Sequence, residues 1–186
     1  MRFRRILTIP AILLALMLLM AGPSRMVAQT TGPDHVNQLL ADAEHFANLA
    51  ARDSEELETY NRTQATWETH ASQLERIREH VNHLGEIVQQ LNEARSEGLP
   101  WQQTAIDRIN PLMHEMAMQL TATIEHLSEH QSQIRMKPYQ DYTRATYEVN
   151  NRAARVISDI VEYGKAQAKA GSLEKQLELP PSSQSE

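Results

Sequence analysis

The chain has 186 residues with 23% charged and 5% aromatic side chains and no cysteine, which excludes disulfide frameworks, thiolate metal sites, a lipoprotein anchor and covalently attached haem. Residues 1–28 carry four arginines and no acid, so without them the net charge moves from −6 to −10. A chain that acidic repels phosphate backbones, and no nucleic acid is expected among its partners.

Arg2, Arg4 and Arg5 precede an apolar run over residues 6–21 that is broken only by Thr8 and Pro10. This is the layout of a secretory signal peptide, with cleavage expected after Ala28. The run falls only slightly short of the ~20 residues that span a bilayer, so an uncleaved anchor is the alternative. In either case the positive-inside rule leaves the remainder on the exported side, as a periplasmic or secreted protein or one held by its N-terminal segment.

Gly32-Pro33 opens a bundle domain expected over residues 34–170, with Pro33 in the first turn and Asp34 at the positive end of the helix dipole. Val36, Leu39, Leu40, Ala43, Phe46, Ala47 and Ala50 recur at spacings of three and four, which predicts a helix over 34–51. The polar run Arg52-Asp53-Ser54-Glu55-Glu56 interrupts that stripe, and Asp53 with Glu56 has capping-box spacing. A break is therefore expected at Asp53, followed by a long helix over 54–95. In that helix Trp67, Leu74, Val81 and Val88 take heptad a positions, with His70, Ile77, Leu84 and Leu91 at d.

Gly98 is placed for a left-handed cap and Pro100 for the start of a third helix. There Ile106, Met113, Leu120, Leu127 and Ile134 are paired with Ile109, Met116, Thr123 and His130, while Pro111 predicts a kink or restart near Asn110. Met136-Lys137-Pro138 makes the next turn. Tyr142, Val149, Val156 and Tyr163, with Thr146, Ala153 and Ile160, define the last helix to about Ala170, and residues 171–186 are expected to be a disordered tail.

Short turns force antiparallel neighbours. The expected fold is all-α: an elongated antiparallel helical bundle of three long heptad-patterned helices plus one shorter N-terminal helix. That first helix either folds back as a fourth member, the favoured form, or projects with its apolar stripe uncovered.

Eight histidines invite a metal reading. His126-Leu127-Ser128-Glu129-His130 resembles the inverzincin metalloprotease signature, over five residues only. Such an enzyme also needs a distant acidic ligand and a cleft, which a thin bundle does not offer, and no glutamate precedes a histidine by three as di-iron bundles require. No enzyme activity and no cofactor are expected. Pairing the helices across their turns places His126 level with His70 and predicts a buried layer of Trp67, His70, His126, His130 and Tyr142. These read as polar core residues that fix register with tyrosine hydroxyls as partners. The alternative is a transition metal on His70, His126 and His130, in a periplasmic metal or small-ligand carrier.

His80, His83 and His114 are assigned to solvent, Met113 and Met116 to the core. Asn61-Arg62-Thr63 is a glycosylation sequon of no structural weight, and Arg144 with Glu148 and Arg155 with Asp159 are spaced as surface pairs. The functional expectation is an exported, non-enzymatic helical-bundle protein that acts in the cell envelope through a protein partner or self-association. The membrane enters only if the N-terminal segment is uncleaved.

Overall fold

Apolar residues at spacings of three and four build four helices, each of which hides its stripe against two neighbours. The computed structural model describes residues 32–178. The expected signal segment over 1–28 and the last part of the expected tail, 179–186, lie outside the described residues. Helix α1 spans Gly32–Tyr60, α2 Trp67–Glu93, α3 Pro100–Glu129 and α4 Lys137–Gln176, with single 3-10 turns at Arg95–Glu97 and Gln131–Gln133. They pack antiparallel as a four-helix bundle in which α1 and α3 lie on a diagonal and each borders both α2 and α4. Among the described residues no helix is long and apolar enough to cross a membrane.

The core runs the length of the bundle through Leu40, Leu57, Ile77, Leu84, Ile109 and Ile157. Burying each such side chain contributes about 1.5–3 kcal/mol. Met116 is fully buried and Met113 packs against the core, as the stripe of α3 predicts.

Helix α1 does fold back, but the chain does not turn at Asp53. It continues to Tyr60, and the reversal occupies 61–66, where Thr66 Oγ1 accepts from the Thr69 amide at 3.4 Å and caps α2. With 29 residues against 27 in α2, the first helix is no shorter than its neighbour. The polar run that suggested a break instead turns part of itself inward. Asp53 is 5% exposed with its Oδ2 3.2 Å from His80 Nε2, while Ser54 Oγ donates to the Ala50 carbonyl and accepts from Asn150 Nδ2, both at 2.6 Å. A buried polar residue is tolerated inside a helix when its neighbours supply the hydrogen bonds that water would have made.

Ser54 and Asn150 belong to a polar seam between α1 and α4. At its far end Asn61 Nδ2 donates to Thr143 Oγ1 at 2.7 Å, and across to α3 the hydroxyls of Thr123 and Thr146 lie 2.8 Å apart. The Oδ1 atoms of Asn61 and Asn150 are buried without a hydrogen-bond partner. The sequon amide is thus committed to the interior.

Three other expectations change. Helix α3 runs on through Pro111, which stands on its exposed side, so no restart occurs near Asn110. Gly98 is extended, at φ −81 and ψ 155, and not left-handed, while Pro100 starts α3 as expected. Helix α4 continues past Gly171 to Gln176, six residues beyond the helix end read from its apolar stripe, because the final turns carry no buried residue for that stripe to record. Gly164 does have a steric role: a Cβ there would stand 2.7 Å from Trp101 Cη2, so the bare glycine lets the indole lie on α4.

Candidate functional site

Tyr139, in the first turn of α4, is 1% exposed and its hydroxyl lies 3.0 Å from Nδ1 of His70, which is 2% exposed in α2. Their rings meet edge to face at 5.3 Å, and Tyr60 of α1 closes on His70 from the other side at 5.6 Å. His126 lies over Tyr139 at 6.1 Å and stacks at 4.6 Å on both His130 and Tyr142. Burial pushes the His70 imidazolium equilibrium below its ordinary range and the Tyr139 phenol above its own, so both are neutral near pH 7.

Of the expected layer, His126 stacks with His130 and Tyr142, and Tyr139 links that stack to His70, which has the tyrosine partner its core position calls for. Trp67 does not join them: it opens α2, is 38% exposed and lines the groove between α2 and α3. Tyr139 and Tyr60 were missed. The spacing Tyr139, Thr143, Thr146, Asn150 marks the buried face of α4, but a purely apolar stripe does not register it.

The register also differs from the one read across the turns. Asn92 pairs with Asn110 and Arg95 with Asp107, so His70 lies level with the 3-10 turn after α3, beyond His126. Arg95 grips Asp107 through Nε at 3.0 Å and Nη2 at 2.8 Å, which holds that carboxyl below its usual range.

His126 and His130 are half-buried, and His130 Nδ1 donates to the His126 carbonyl at 3.2 Å. Among the described residues no three His, Asp or Glu side chains are gathered as a metal-binding group. His70 Nδ1 and His130 Nδ1 are engaged in hydrogen bonds within the bundle, and the His126 ring is stacked on His130 and Tyr142. His80, assigned to solvent from its position, is instead half-buried against Asp53, and Phe46 lies between it and His83 with ring separations of 6.4 and 5.0 Å. This pair fastens α2 to α1.

Two open concave surfaces lie along α3. Between α3 and α4 a trough of about 430 Å³ has Ala105, Val156 and Ile160 on its floor, Trp101 and Tyr163 at one end, and Arg108 and Asp159 on opposite rims. Trp101 meets Tyr163 edge to face at 5.4 Å, and half of Tyr163 remains in water. On the other flank, between α2 and α3, Trp67, Leu74, Ile124 and Leu127 line a second groove of about 220 Å³. The expected surface pair Arg155–Asp159 is not formed. Neither Arg108 nor Asp159 has an ion-pair partner among the described residues. Such troughs, with an indole in the wall and apolar side chains on the floor, suit shape-matched burial. No protein-family model, curated protein or solved structure matches this chain.

Proposed function

We propose that the chain is an exported, non-enzymatic helical-bundle protein that acts in the cell envelope by binding protein surfaces, a second copy of itself included. The observation that carries this reading is the pair of open grooves on the two flanks of α3, each walled by one of the chain's two tryptophans. Indole and phenol rings seated in apolar troughs are the side chains that concentrate binding energy at protein interfaces. The arginine-flanked apolar segment supports export. The histidine layer supports the reading from the other side, since His70 Nδ1 and His130 Nδ1 are engaged by the Tyr139 hydroxyl and the His126 carbonyl within the bundle.

A photocrosslinking residue placed at Met118, which is 58% exposed on α3, or at Tyr163 tests the proposal in the producing cell. The expected result is a discrete adduct with one protein, found outside the cytoplasm on fractionation. No adduct from either position, or a chain retained in the cytoplasm, overturns it.

A further inference from the structure

We propose that the trough between α3 and α4 is a two-fold interface with a second copy of this chain, closed by Arg108 of each copy against Asp159 of the other. This rests on the protein-binding reading and names its partner. Arg108 on α3 and Asp159 on α4 are both exposed and stand across one trough, without an ion-pair partner among the described residues. The next charged couple along the same two helices, Glu115 and Arg152, is already closed within the chain. One cation and one anion are thus left open side by side on an apolar floor.

A half-turn about an axis that lies over the trough and runs parallel to the helices turns a second copy face to face with the first and exchanges the positions of α3 and α4. It brings Arg108 of one copy over Asp159 of the other and the reverse, so a single operation makes two ion pairs. The same rotation lays Val156 and Ile160 on Ala105 of the second copy and carries the half-exposed Tyr163 ring over its Trp101, where the two rings pack. Net charge selects this face as well. The chain is acidic overall, so two copies repel except where cation and anion are balanced.

A small molecule fits the trough less well. Ligand sites bury some 70–90% of their occupant, whereas here Tyr163 is half in water and both charged rims are open. A facing protein surface covers them.

The test uses the purified full-length protein, its Arg108→Glu and Asp159→Arg variants, and their equimolar mixture, followed by sedimentation and native mass spectrometry. Both side chains are exposed, so melting curves should match wild type. Wild type is expected to dimerise at about 10 µM, with each single variant weakened by about a hundredfold because two attractive couples become repulsive. Mixing the two variants is expected to give a one-to-one heterodimer within about tenfold of wild-type affinity, since both inter-chain couples are again opposite in sign.

A wild type that stays monomeric at about 100 µM overturns the inference. So does a dimer indifferent to either variant, a mixture that stays monomeric, or a small molecule retained by wild type and lost on Trp101→Ala. A monomeric chain that crosslinks from Met118 to a different protein overturns this interface alone and leaves the binding reading standing.

Discussion

His70 and Tyr139 are a buried couple whose polar atoms answer each other, and that reciprocity sets the outcome of mutation. His70→Leu leaves the Tyr139 hydroxyl without a partner among the described residues, at a cost of about 1–3 kcal/mol. Adding Tyr139→Phe removes the orphan, and denaturant unfolding should then recover most of the loss. If the second substitution adds to the first, the hydrogen bond is not what the site provides. The pH dependence has a definite sign. An unfolded histidine protonates near pH 6.5, whereas burial holds His70 below that. Between the two values the unfolded chain binds the extra proton, so stability is full above about pH 6.5 and falls as pH drops below it. The His70→Leu, Tyr139→Phe double variant should therefore gain in melting temperature relative to wild type between about pH 7 and pH 5. An unchanged difference would place the titration elsewhere. His70 was legible in the sequence because it falls in step with Leu74, Ile77 and Leu84. Tyr139 was not, because Pro138 reads as a turn and the next buried residues on its face of α4 are Thr143, Thr146 and Asn150.

At the scale of one helix, α1 shows how a sequence reading goes astray. Asp53 and Ser54 look like a gap in an apolar stripe, yet they face inward because His80 and Asn150 reach them from two other helices. Partners so distant along the chain leave no local mark, whereas Pro100 and Pro138 act through their own backbone and marked their boundaries correctly. Helix α1 lies between α2 and α4 and buries Val36, Leu39, Leu40 and Leu57 there, besides three alanines and the polar seam. At about 1.5–3 kcal/mol for each of those four, its removal exceeds much of the 5–15 kcal/mol that holds a domain together. Deletion of residues 32–60 should abolish the cooperative melting transition in circular dichroism. A remnant that still melts cooperatively would make α1 an appendage.

On the whole-molecule scale, the class and the antiparallel order were readable because short turns allow no other arrangement of amphipathic helices. The levels at which the helices meet were not, since a single 3-10 turn in each later connection shifts everything beyond it. The two tryptophan-walled grooves consequently lie toward opposite poles, and the histidine layer shares the pole of the 61–66 turn.

An even number of antiparallel helices also brings the ends of the described chain to one pole. Lys165 Nζ stands 3.9 Å from Glu44, Leu40 and Ala168 line one small cavity, and continuing the two helices at 1.5 Å per residue sets Gly32 level with Gln176. Topologically the bundle is a ring short of one link, and chain direction can be reassigned without disturbing a core contact. A circular permutant that joins 176 to 32 through a short flexible linker and is cut open inside the 61–66 turn should keep the parent's helical spectrum and melt within about 5 °C of it. A permutant that fails to fold would mean that the hairpin at 61–66 must form before α4 can dock, making the order of assembly, and not only the final packing, a property of where this chain is opened.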